Sequence, residues 1–125
     1  MRQAAIAWLH QQVAAVVPGT ADFYDAGRQV DIQERLQSNR PWVKLYLPSE
    51  EGDIQPIEIF LVTIDVGHAH LETARSVAEQ IRSGLGRLQY RDPNAWRRLR
   101  IVNLNEGNFH RVQFTYRVRR PALKE

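Results

Sequence analysis

The run Ile57–Val66, followed by the helical pattern Leu71–Leu88, constrains this chain more than any other stretch. From Ile57 to Val66 nearly every position is apolar. Ile57, Ile59 and Leu61 fall on one side of an extended chain, and Phe60, Val62, Ile64 and Val66 on the other. β-Branched and aromatic residues suit a pleated surface, and a strand apolar on both sides has to be covered on both. Gly67 is expected to break that run. Beyond it the period changes: Leu71, Ala74, Ala78, Ile81, Leu85 and Leu88 step by three and four, which draws one apolar stripe down a helix. Glu72–Arg75 and Glu79–Arg82 stand one turn apart elsewhere on its surface. Helix on sheet is the packing these two patterns demand. Covering the strand's second face is harder for a chain of 125 residues.

That length suits one domain, residues 1–125, with a real core. An apolar fraction of 43% and a charged fraction of 25% are ordinary globular values, which argues against global disorder. The absence of cysteine excludes disulfides and thiolate metal sites. No apolar run is long enough to span a membrane, and a membrane partner is not expected. The opening MRQAAIAWLHQQVAAVV reads as an amphipathic helix rather than a signal peptide, so a cytoplasm-like compartment is expected. The net charge of +3 hides a gradient. Residues 1–66 hold five Lys/Arg against nine Asp/Glu, and residues 67–125 hold twelve against five. Such asymmetry points to a polyanion contact, or to subunits meeting basic face to acidic face.

Ile6, Leu9, Val13 and Val16 predict a helix over residues 3–16 that stops before Pro18-Gly19, with Trp8 as a large core residue. Residues 20–40 are polar and read as a long loop, with a short strand around Val30–Ile32 as the one regular element. Residues 42–47 alternate, placing Val43, Leu45 and Leu47 opposite Trp42, Lys44 and Tyr46. The acidic stretch Ser49–Asp53 reads as the turn joining this strand to the central one. Asp92-Pro93-Asn94 signals another turn, followed by a strand over Trp96–Leu104 and a hairpin turn at residues 105–108. In the last strand His110, Val112, Phe114, Tyr116 and Val118 alternate with Arg111, Gln113, Thr115, Arg117 and Arg119. The expected fold is α+β, in the order α-β-β-α-β-β: a four-stranded, mainly antiparallel sheet with two helices packed on one face.

Catalytic signatures are missing. The chain has no G-x-S-x-G, phosphate loop or H-E-x-x-H, and no enzyme activity or cofactor is expected. Gly84-Leu85-Gly86 reads as a helix end. His68 and His70 lack an evident third ligand, so neutral turn histidines are the better reading and no metal is expected. Asp65, on an apolar strand, draws suspicion as a buried carboxylate, although a cap for the following amides is the plainer reading.

Arginine is the stronger signal. Arg97, Arg98 and Arg100, with Arg111, Arg117, Arg119 and Arg120 on the adjoining strand, form one basic face if the two strands pair. The guanidinium fork suits carboxylate or phosphate. Nucleic acid is one candidate partner, although the K/R-G-F/Y-G/A-F motif of the common RNA-binding sheet is absent. The other candidate is the acidic residues of a sister subunit: Asp22, Asp25, Asp31, Glu34, Glu50, Glu51 and Asp53.

Several stretches fit a known layout: the N-terminal helix, Phe23-Tyr24-Asp25, Arg40-Pro41-Trp42-Val43 opening a strand, a strand running into His68–Leu88, and a closing hairpin. The segment Ile64–Glu79, a strand ending near an acidic residue, a small linker and a helix rich in alanine and glutamate, is the most similar part. In these features the chain resembles the tail terminator and tail completion proteins of long-tailed bacteriophages. Residues 25–40 and the arginine-rich hairpin lie outside the resemblance. It implies a structural virion protein forming a ring, commonly hexameric, that caps the tail tube, stops its growth and presents a surface for head–tail joining. The implied partners are further copies of the chain, the tail tube protein and the head–tail connector, with DNA passing through the lumen. The implied location is the virion tail, assembled in the host bacterial cytoplasm. The alternative expectation is a small nucleic-acid-binding module using the C-terminal arginines.

Overall fold

The computed structural model describes residues 3–54, 57–91 and 96–121. The elements run α1 (Gln3–Ala14), β1 (Asp22–Tyr24), α2 (Ile32–Ser38), β2 (Trp42–Ile54), β3 (Ile57–His68), α3 (Leu71–Arg91), β4 (Trp96–Asn105) and β5 (His110–Pro121). The fold is α+β, with three helices and a five-stranded open sheet in the order β1-β2-β3-β5-β4. All neighbours pair antiparallel except β1, which runs parallel to β2. The sheet thus has one strand, and the chain one helix, more than the α-β-β-α-β-β order expected from sequence.

Both additions come from residues 20–40, which are not a loop. Asp22–Tyr24 adds to the edge of β2 with Phe23 opposite Val43. Asp31 caps α2 by accepting a hydrogen bond from the Glu34 amide, 3.2 Å away, and Asn39 closes the helix in the left-handed conformation at φ 57°. The strand expected around Val30–Ile32 is therefore a helix start.

The main core lies between one sheet face and helices α1 and α3. Leu9 and Val13 of α1 and Ala74, Ala78, Ile81 and Leu85 of α3 meet Val43, Leu45, Val62, Ile64, Val66, Val112, Phe114, Tyr116 and Val118. Within the three-and-four stripe of α3, Ala74, Ala78, Ile81 and Leu85 are buried and Leu71 partly so, while the side chain of Leu88 lies outside the described residues. Trp96 is buried at the start of β4, its ring 6.0 Å from Trp8 and 5.7 Å from Tyr116. Gly84 lies inside α3 rather than at its end. A Cβ there would come within 2.5 Å of Val16 Cγ1, so the glycine lets the chain leaving α1 approach α3 closely.

The second sheet face is covered at one end only. Tyr24, Trp42 and Phe109 form a smaller cluster with Val30, Ile32 and Leu36, so the segment around α2 covers the Trp42–Gly67 end of this face, while Ile59 and Leu61 of the central strand lie outside it and are half-buried. Trp42 pairs with Gly67, and any Cβ on Gly67 would collide with its indole ring. Gly67 accordingly continues β3 instead of breaking it. Ser49–Asp53 likewise is not a turn. These residues extend β2, which keeps pairing with β3 to Ile54↔Ile57 through two register shifts. The turn expected at Asp92–Asn94 lies outside the described residues. The β4–β5 hairpin turns where expected: Glu106 N–H donates to the Phe109 carbonyl at 2.9 Å, and Gly107 adopts φ 93°.

Candidate functional site

Pairing of β3, β5 and β4 brings most of the sequence's arginine cluster onto the face away from α1 and α3. Arg97 stands opposite Arg117, Arg100 opposite Thr115 and Arg119 opposite Ile59. A hollow of about 320 Å³ is lined by Ile59, Arg97, Arg117 and Arg119. Arginines grouped around one hollow concentrate positive charge there, which favours an anion.

The structure separates the other predicted members. Arg98 pairs with Tyr116, whose side chain is in the main core, so Arg98 belongs to the helix-covered side. A register shift at Leu99 then restores Arg100 to the open face. Arg111 is on the open face but is held by Asp65, at 3.2 Å, and by Glu106, at 2.9 Å. The backbone of Arg120 pairs with Glu58, and its side chain lies outside the described residues.

The acidic set is largely occupied with holding its own segment together. Asp22 binds both Arg35 and Arg40, and Glu34 binds Arg35 at 2.9 Å. Asp31 caps α2, and Asp25 Oδ1 accepts from the Gly27 amide at 3.1 Å. Glu50, Glu51 and Asp53 belong to β2, not to a loop, and their side chains lie outside the described residues.

His68 uses both ring nitrogens. Nδ1 accepts the His70 backbone N–H at 3.0 Å, so Nε2 carries the proton and donates to the Asn39 carbonyl at 3.1 Å. Among the described residues no three His, Cys, Asp or Glu side chains gather closely enough to hold a metal ion.

Sequence reasoning missed a second feature on the same face. A cleft of about 500 Å³ opens between the Ala26–Ile32 connection and the sheet, with Lys44, Tyr46, Asp65 and Arg111 on its floor. Asp65 is not a cap. It sits within β3, 3% exposed, with Oδ1 buried and lacking a hydrogen-bond partner among the described residues. Burial raises its pKa, against the pull of Arg111 and Gln113 toward the charged form. Lys44 is 6% exposed, and its Nζ donates to the Asp25 carbonyl at 2.5 Å. Burial lowers its pKa; the Asp25 carboxylate opposes the shift and Arg28 adds to it. The sequence left two signals: Asp65 on an apolar strand, whose suspected burial is borne out, and Lys44's alternation with Trp42 and Tyr46, which put the three on one face without showing what covers it.

No protein-family model matches the chain, and no curated protein matches it.

Proposed function

We propose that the protein is a structural assembly subunit that forms a ring, capping a phage tail tube, ending its polymerisation and providing the surface for head–tail joining. The observation that carries this reading is the outer edge of the sheet. β4 presents ten residues of strand edge, with Leu99 50% and Ile101 43% exposed. An exposed edge strand is a template for another chain, and β4 sets its two exposed apolar residues among Arg97, Arg98 and Arg100. A neighbouring copy that covers this edge at a patch distinct from β4 makes a head-to-tail contact, and a closed rotation of that contact gives a ring. The resemblance to tail terminators suggests six copies, with the tail tube protein and the connector on the ring's two faces. The subunit in this reading needs no cofactor and performs no catalysis.

Arg97, Arg100 and Arg119 contribute orientation and salt sensitivity more than affinity. The test is an Arg97→Glu, Arg100→Glu, Arg119→Glu variant. It is expected to keep its fold, because these residues are exposed, and to leave tails of abnormal length. Arg111 is kept out of it because a glutamate there would face Asp65. The opposed arginines also favour a second reading, a nucleic-acid-binding module. On that reading the variant keeps its oligomeric state and loses a steeply salt-dependent DNA binding.

A further inference from the structure

We propose that the cleft beside Lys44 is a binding site for an organic carboxylate, either a small acid or the acidic side chain of a docking segment. The inference stands apart from ring formation. Lys44 and Asp65 are direct partners in the β2–β3 ladder, yet they do not form an ion pair. Asp65 turns to Arg111, while Lys44 reaches the Asp25 carbonyl and stands 5.3 Å from the centre of the Tyr46 ring. Among the described residues no carboxylate closes an ion pair with this buried ammonium, and one of its three N–H donors has a hydrogen-bond acceptor. A buried cation that closes no ion pair is costly, and an arriving anion relieves that cost.

Arg28 and Arg111 line the same cleft, so it holds three cations and one carboxylate, which Arg111 already engages. Trp42, Phe109, Val30 and Ile32 supply apolar walls for the body of the ligand. The cleft's volume of about 500 Å³ falls among small-molecule sites, which span roughly 300–1,000 Å³. Asp65 in the wall disfavours a doubly charged phosphate. A singly charged carboxylate with an apolar or aromatic body satisfies Lys44 and the Arg28 fork while filling the hydrophobic side.

The test is titration followed by the Trp42 indole N–H in heteronuclear NMR, since Trp42 alone of the three tryptophans lines the described cleft. The probes are 4-phenylbutyrate, its neutral amide, inorganic phosphate and a capped Phe-Glu dipeptide. The expected result is a saturable shift with the carboxylates, little with the amide, and an affinity lowered about tenfold or more in Lys44→Met. Arg28→Gln, at an exposed position, serves if Lys44→Met does not fold, and Arg119→Gln is expected to bind as the wild type does. Tighter binding of the dipeptide identifies a docking segment as the source, and tighter binding of the free acid identifies a small ligand. Absence of saturation with both carboxylates, equal binding of the amide, or equal displacement by phosphate would overturn the proposal. So would wild-type affinity in a folded Lys44→Met or Arg28→Gln protein.

Discussion

Tyr116 shows what burial does to a single ionisable group. Its ring packs edge-on to Trp96 and Phe114 in the core, and burial pushes the phenol from its ordinary 10.0 up to about 12. Between those values the unfolded chain has released the proton and the folded chain still holds it. Stability therefore falls as pH rises through that window. Tyr116→Phe is expected to unfold less readily than the wild type there, with the difference between the two narrowing toward neutral pH. Denaturant midpoints measured across the alkaline range check this, and parallel curves would contradict it. Gly67 is the complementary case, where a missing side chain matters. Gly67→Ala pushes a methyl into the Trp42 indole and is expected to cost about 1–3 kcal/mol, as overpacking does. Trp42 fluorescence and the unfolding midpoint should shift together.

At the scale of elements, α3 is the best-defined prediction of the sequence and the simplest to test. Ile81 is fully buried against the sheet, while Glu79 is exposed and paired with Arg82. Ile81→Ala is expected to cost about 2–5 kcal/mol and Glu79→Ala under about 0.5. Equal midpoint shifts would mean that the helix is rotated from the position described. The stripe from Leu71 was legible because local periodicity and burial agree there. The alternation of β5 was legible for the same reason, its buried residues 112, 114, 116 and 118 matching the apolar set. β1 was not legible, since three residues carry no period and Asp22–Tyr24 is extended only because β2 lies beside it. α2 had left a signal, Asp31 followed three residues later by Glu34, the pattern of a capping box, although only the Asp31 half of that hydrogen-bonding pattern is seen. Glu50–Asp53 had the composition of a turn, but continued pairing with β3 overrode it. The Lys44 cleft was hidden for a related reason. Its cover is the segment that reads as a loop, and without a cover Lys44 is simply the polar side of an alternating strand.

For the whole molecule, the sheet is finished on one side and open on the other. Helices α1 and α3 seal one face, the α2 segment seals one end of the second, and the β4 edge with the neighbouring arginines is left to solvent. The proposed assembly role rests on that edge. Its most direct test is the solution mass, by light scattering, of the wild type beside a Leu99→Lys, Ile101→Lys variant. Lysine on an edge strand blocks further pairing, and both positions are exposed, so the variant is expected to fold. The expected result is a wild-type mass several times the 14.5 kDa of one chain, six times for a hexamer, with the folded variant at the mass of one chain. A wild type that stays at 14.5 kDa at high concentration, or a variant that assembles as the wild type does, would contradict the account.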